Sequence, residues 1–212
     1  MGKITKIEVQ KRNKDRVNVY IDNDYAFSAY SELVYKENLR VNSEVNEDKL
    51  LRIAEKENLS KCKETALRII ERSYKTESEM INKLAEKGYD SKSIEIVISF
   101  LKEYNFINDK SYTKMYIKDR ISNQGKQKIK YSLIRKGISA EIIDEFINDI
   151  EFDNEKTVAI EMAKKKYKLI SKTEKDKFKL WNKLCRYLVG RGYNYSISKE
   201  VVNEVLDMEE ID

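Results

Sequence analysis

The sequence predicts a mainly α protein, with three tandem three-helix repeats in an elongated array after a small N-terminal β meander with short helices. Three observations carry that expectation. Strict apolar alternation is confined to residues 5–29. Proline is absent from all 212 residues, so no later segment is barred from a helix. Three of the six glycines, Gly88, Gly137 and Gly192, each follow a basic residue and stand between two runs of helical periodicity.

The strands come first. Thr5, Ile7 and Val9 alternate, then Val17, Val19 and Ile21, then Tyr25, Phe27 and Ala29. Asn13–Asp15 and Asp22–Asp24 supply turn chemistry between the runs. A three-stranded meander is marginal alone, so its apolar face needs a helix. The segment from Ser31, with Ser31 as N-cap, and a second short helix over Asp48–Lys56 are the candidates.

From Ser60 the pattern is helical, and aligning the glycines exposes a repeat. Eight residues before them stand Met80, Ile129 and Leu184; four before, Leu84, Leu133 and Leu188; three before, Ala85, Ile134 and Val189. Nine after stand Val97, Phe146 and Val201, and thirteen after, Leu101, Ile150 and Val205. Each glycine therefore reads as a left-handed residue just past a helix end. Lys87, Lys136 and Arg191 fall in the last turn, where a cation suits the helix dipole. Ser91, Ser139 and Ser196 stand where the next helices need N-caps. The first helices of the units are expected over Ser60–Arg72, Lys110–Ser122 and Glu155–Leu169. The expected divisions are a β-rich segment over 1–59 and repeats over 60–108, 109–153 and 154–212. Units of this size bury small cores, so neighbours must share surface. A globular nine-helix bundle is the alternative packing.

Composition narrows the function classes. There is no histidine, which removes the usual general base and the commonest metal ligand. Cys62 and Cys185 lack metal-site spacing; Cys185 reads as a core thiol, and Cys62 has no assigned role. A non-enzymatic protein without cofactor is expected. No apolar run reaches the ~20 residues of a membrane span. The opening "MGKITKIEVQ" lacks a signal-peptide core, so a cytoplasmic protein is expected.

The net charge is +5, and it is striped. Residues 110–136 carry nine basic side chains and one acidic; residues 137–162 carry one and eight. Residues 163–192 carry eleven and two; residues 193–212 carry one and six. Such runs can be solvated faces. Two separate basic stripes also suit a polyanion or an acidic protein groove. The candidate contacts are Arg120, Lys126, Lys128, Lys130 and Arg135 in the first stripe. In the second they are Lys164, Lys165, Lys166, Lys179, Lys183 and Arg186. Tyr112, Tyr116 and Tyr131 interleave with the first, as stacking platforms or as core residues with wet tips. Trp181 reads as a packing residue. The loop Ser122–Lys130 offers backbone N–H groups, with Lys126 and Lys128, to a phosphate or carboxylate. Glu141, Asp144, Glu145 and Asp149 face solvent and lack calcium-loop spacing.

These residues resemble the RecX regulatory proteins, modulators of the RecA recombinase. "ITKIEVQKRNKDRVNVYIDNDYAFSAY" resembles the family's β-rich leader. Ala66-Leu67-Arg68, Ser78-Glu79-Met80 and Lys83-Leu84 before Lys87-Gly88-Tyr89 resemble its first repeat. Phe106-Ile107-Asn108-Asp109 resembles the link to the second, and Gly125, Ile129, Leu133 and Lys136-Gly137-Ile138 that repeat's central run. The third repeat is carried by Arg191-Gly192-Tyr193. Many members have an Asp-Asp pair at the link and an alanine soon after, where this chain has Asn108-Asp109 and Thr113. The resemblance implies tandem three-helix repeats, no catalytic residues and no cofactor. It also implies a monomeric partner of RecA and of the RecA–single-stranded-DNA filament, bound along the filament groove and inhibiting recombinase, ATPase and coprotease activity in homologous recombination, DNA repair and the SOS response. Direct DNA binding through the repeats and basic patches is the alternative.

Overall fold

The computed structural model describes residues 1–11, 13–148 and 152–208, and of residues 152–154 the backbone alone. The chain divides into two compact units, residues 1–107 and 108–212.

The first unit opens with an antiparallel sheet of β1 (Gly2–Val9), β2 (Arg16–Ile21), β3 (Asp24–Tyr30) and β4 (Glu44–Val45), in the order β3-β2-β1-β4. Asp22 and Asn23 both have positive φ, 51° and 72°, the two-residue turn whose twist matches a hairpin. Ile4, Val17, Val19, Ile21, Phe27 and Ala29 form the buried face. β1 corrects the expected alternation. A register shift between Ile4 and Lys6 makes Ile4 the buried residue and leaves Val9 exposed. β4 adds a fourth strand, pairing Gly2 with Val45.

Leu33 of α1 (Ser31–Lys36) and Leu50 and Ala54 of α2 (Glu47–Arg72) cover that face. Ser31 is not the cap of α1 but its first residue; its hydroxyl donates to the Asp15 carbonyl at 3.2 Å. The two helices expected on either side of residue 59 are one helix of 26 residues, capped by Asn46. No glycine or proline interrupts it. Its second half packs Cys62 and Ala66 into the core of the first repeat, with α3 (Glu77–Glu86) and α4 (Ser91–Glu103). Cys62 is therefore a mid-helix core thiol, and burial, with Asp90 adding to it, pushes its pKa up to about 12.

The second unit holds α5 (Asp109–Arg120), α6 (Lys126–Arg135) and α7 (Ala140–Ile147), then α8 (Phe152–Ile170), α9 (Lys177–Gly190) and α10 (Tyr195–Met208). Ile129, Leu133, Ile143 and Ile147 centre one core; Leu184, Leu188, Val201 and Val205 centre the other.

All three basic-glycine pairs end helices in the same way. Gly88, Gly137 and Gly192 have φ of 85°, 80° and 95°. Their N–H groups donate to Ala85, Ile134 and Val189, each at 2.9 Å. The next residues, Tyr89, Ile138 and Tyr193, donate to Leu84, Leu133 and Leu188 at 3.2–3.3 Å and bury their side chains in the same cores. This is a Schellman stop with its apolar clasp. Asn38 and Asn105, also at positive φ, close α1 and α4 alike.

Ile134 and Val189, three before the glycines, are exposed rather than core. In the third helices the buried phase includes Ile94 and Ile98, Ile143 and Ile147, Ser198 and Val202, while Phe146 is half-buried. Ile150 lies outside the described residues. Ser139 caps α7 as expected, but α4 is capped by Asp90 and the start of α10 by Asn194, each accepting an N–H three residues on. Asn108 caps α5, and the Thr113 hydroxyl, buried, donates back to the Asp109 carbonyl at 2.7 Å. The link thus keeps a capping side chain and satisfies its threonine locally.

Two stability predictions follow from these helix ends. Gly88→Ala meets open space, only Gln10 Oε1 at 3.8 Å, and pays the left-handed penalty of about 1–2 kcal/mol. Gly192→Ala also drives a methyl to 2.3 Å from Lys128 Cβ, so its loss in urea denaturation exceeds that of Gly88→Ala. Asp90→Ala removes a cap, costing about 1 kcal/mol at neutral pH. Burial works against the Asp90 carboxylate, but hydrogen bonds from Ser93 and Asn58 outweigh it and lower its pKa. The stabilisation is present above the unfolded value, about pH 4, and is lost as pH falls through the lower folded one. The stability gap between wild type and Asp90→Ala is therefore full at pH 7 and narrows in strong acid.

Candidate interaction surface

The basic stripes sort into capped, paired and open cations. On α6, Lys128, Tyr131 and Arg135 share an exposed stripe, three and four residues apart. The Arg135 guanidinium lies 6.0 Å from the Tyr131 ring, and Tyr131 is 63 % exposed. Tyr131 is thus outside the core, whereas Tyr112 and Tyr116 are half-buried against it and stacked at 6.1 Å. Arg120, exposed, stands 5.5 Å from the Tyr116 ring. On α9, Lys179, Lys183 and Arg186 form a second exposed stripe. Lys165 of α8 is exposed, Lys164 and Lys166 are half-buried, and Lys166 lies 5.5 Å from the Tyr187 ring. Trp181 packs against the third core and donates to Asn203 at 2.7 Å.

The stripes also fold against one another. Lys130 pairs with Asp144 at 2.5 Å and Lys110 with Glu145 at 2.8 Å, so the acidic block on α7 partly neutralises the basic segment before it. Lys183 meets Glu174 at 3.0 Å, and Lys179 meets Asp176 at 4.0 Å. Exposed pairs of this kind contribute about 0–1 kcal/mol and leave the cations open to exchange partners. Asp149 lies outside the described residues, and Glu141 is exposed at the start of α7.

The loop before α6 is occupied from within. The Lys126 N–H donates to Glu155 Oε1 at 3.1 Å, and the Gly125 N–H donates to the Arg191 carbonyl at 3.0 Å. Lys128 reaches the Gly190 carbonyl at 3.0 Å, placing its charge on the negative end of α9. A Cβ on Gly125 would stand 2.4 Å from the Gly192 carbonyl oxygen. Of the amides read as a phosphate or carboxylate seat, that of Lys126 holds a carboxylate, the buried Glu155 of α8. Lys126 and Lys128 therefore sit at the join of the second and third repeats. Sequence reasoning missed this join; its signal is a glycine ahead of a helix whose N–H groups lack a capping side chain.

Among the described residues there is no cluster of acidic or sulfur side chains that could hold a metal, and no helix is long and apolar enough to cross a membrane. Both cysteines are buried, and burial raises the Cys185 pKa. What the surface offers is charge and aromatic faces.

Comparison with known proteins matches four family models in chain order. These are the regulatory protein RecX N-terminal domain over residues 2–46 and the RecX first, second and third three-helix domains over 62–101, 108–146 and 154–202. The chain belongs to the RecX family. Regulatory protein RecX of Clostridium beijerinckii is 55 % identical over 97 % of both chains, and that of Clostridium tetani is 51 % identical over 97 % of this chain and 95 % of its own. A crystal structure of a regulatory protein RecX superposes with a TM-score of 0.65 at 25 % identity, covering 96 % of this chain and all of its own. RecX from Lactobacillus salivarius shares the fold, with a TM-score of 0.62 over 70 % of this chain and 96 % of its own.

The Glu155 seat yields a direct test. Glu155→Ala removes the carboxylate that accepts the Lys126 N–H at the α6 start, at a cost of about 1–3 kcal/mol. Glu155→Gln keeps an acceptor and loses less. Urea denaturation of the two variants checks the order.

Proposed function

We propose that this RecX-family chain is a non-enzymatic regulator of RecA that binds the RecA–single-stranded-DNA filament along its groove and lowers its ATPase, recombinase and coprotease activities. The observation that carries this reading is the family match through the N-terminal domain and all three helical domains. The exposed cations of α8 and α9, Lys165, Lys179, Lys183 and Arg186, support it, because they suit an acidic groove or a phosphate backbone. Lys128 contributes less to the partner in this reading, since its ammonium is held at the Gly190 carbonyl, whereas Lys130, Lys179 and Lys183 sit in exposed ion pairs that a partner can exchange. Arg120, Arg135, Lys164 and Lys166 are further candidate contacts on the two basic stripes.

Direct DNA binding is the second reading, and one observation favours it. Exposed Tyr131 beside Arg135 is the aromatic–cation pairing on which an unpaired base stacks.

The test is RecA-dependent ATP hydrolysis on single-stranded DNA with this protein at sub-stoichiometric ratios. The proposal expects inhibition. Combined Lys165→Glu, Lys179→Glu and Arg186→Glu substitution should demand roughly tenfold more protein, the equivalent of about 1.4 kcal/mol, while Lys14→Glu changes little. Absence of inhibition, with tight binding to bare DNA whose affinity falls steeply with salt, selects the second reading.

A further inference from the structure

Arg16 is the unusual residue of the first unit. It lies on β2 in phase with Asn18 and Tyr20, opposite the face of Val17, Val19 and Ile21. That phase normally meets water, yet Arg16 is only 2 % exposed, and its Nε and Nη1 are buried without a hydrogen-bond partner. What holds it is aromatic. Its guanidinium stands 5.2 Å from the Tyr30 ring and 5.4 Å from the Tyr89 ring, and the two tyrosine hydroxyls are 2.6 Å apart. Cation–π contact uses the faces of a guanidinium and leaves the N–H groups in its plane unsatisfied. A buried charged donor left unsatisfied is costly, so its retention calls for an acceptor.

Arg16 lines a cleft of about 600 Å³ between β3, α2 and the start of α4. The volume suits a small organic molecule. Phe27, Leu51, Ala54, Leu59 and Ile96 give the cleft an apolar wall. Arg52, Lys56 and Lys92 join Arg16, against the carboxylates of Glu55 and Asp90. Glu55 pairs with Lys92 at 3.1 Å, and Asp90 accepts from Ser93 and Asn58. The unoffset charge in the cleft is therefore positive.

We propose that this cleft binds a small molecule with a phosphate or carboxylate group on an apolar body, the anionic group hydrogen-bonding Arg16 and the body lying against Phe27 and Leu59. This goes beyond the regulation of RecA and does not depend on it. The probes are phenyl phosphate, benzoate and inorganic phosphate, added to the full chain labelled with ¹⁵N. The expected result is a saturable shift of the Arg16 Nε–H resonance and of the Ser28, Gly88 and Ser93 amides. Phenyl phosphate or benzoate, whichever matches the site, should bind at least about tenfold more tightly than inorganic phosphate. Arg16→Met should abolish the shifts. Arg52→Glu with Lys56→Glu, both exposed positions, should weaken them severalfold, and this variant decides the matter if Arg16→Met does not fold. No saturable shift from any probe, or shifts unchanged in the Arg52→Glu, Lys56→Glu variant, would overturn the proposal and leave Arg16 a structural cation satisfied by water.

Discussion

A left-handed residue after a helix, with the following side chain turned back into the core, is the constraint on which each repeat depends. It satisfies two end carbonyls and fixes the direction in which the chain departs. In the first repeat that departure brings Asp90 to the start of α4, where its carboxylate accepts from Ser93 and Asn58. In the third it brings Asn194 to the start of α10. The buried leucines at Leu84, Leu133 and Leu188 are linked to the stop through their carbonyls as well as their side chains. Packing and backbone satisfaction therefore converge on the same residues, which is the consistency a sequence needs to specify one structure.

The second and third repeats meet through the same device. Gly192 ends α9 with positive φ, and its lack of a side chain also lets Lys128 approach. Gly125 returns the close fit from the other side, and Glu155 fills the helix start beside it. One glycine thus serves a local turn and an interface, so its constraints are tighter than those on Gly88. The join draws on the basic surface, because the Lys128 ammonium becomes part of the frame, while Lys165 and Arg186 stand exposed on α8 and α9.

Much of this was legible in the sequence, and the failures have physical causes. The three glycine stops, the buried positions four and eight residues before them, the hairpin at Asp22-Asn23 and the cap at Ser139 are all local, so local chemistry predicts them. β4 depends on a partner some forty positions away, at Gly2 and Lys3, and two residues carry no periodicity. The expected helices over Asp48–Lys56 and from Ser60 are one, because no glycine or proline in that stretch stops a helix. The candidate surface was half legible. Charge runs pick out Lys165 and Arg186, which the fold leaves exposed, together with Lys130 and Lys128, whose acceptors lie 14 and 62 residues away, and cannot separate the two kinds. Arg16 alternates out of phase with Val17, Val19 and Ile21, and nothing local in the sequence marks its burial, which involves a tyrosine 73 positions later.

The continuity of α2 has a consequence for how the first unit comes apart. Leu50 and Ala54 belong to the sheet's core, and Cys62 and Ala66 to the first repeat's, on one uninterrupted rod. Tyr30 and Tyr89 bond across the same boundary. The sheet and the repeat are therefore coupled as a single cooperative element, although family comparison treats them as separate modules. Melting one strips a wall from the other; a cut just after the matched N-terminal module would take Leu50 and Ala54 from the sheet's core, and a cut just before the matched helical module would divide α2 itself.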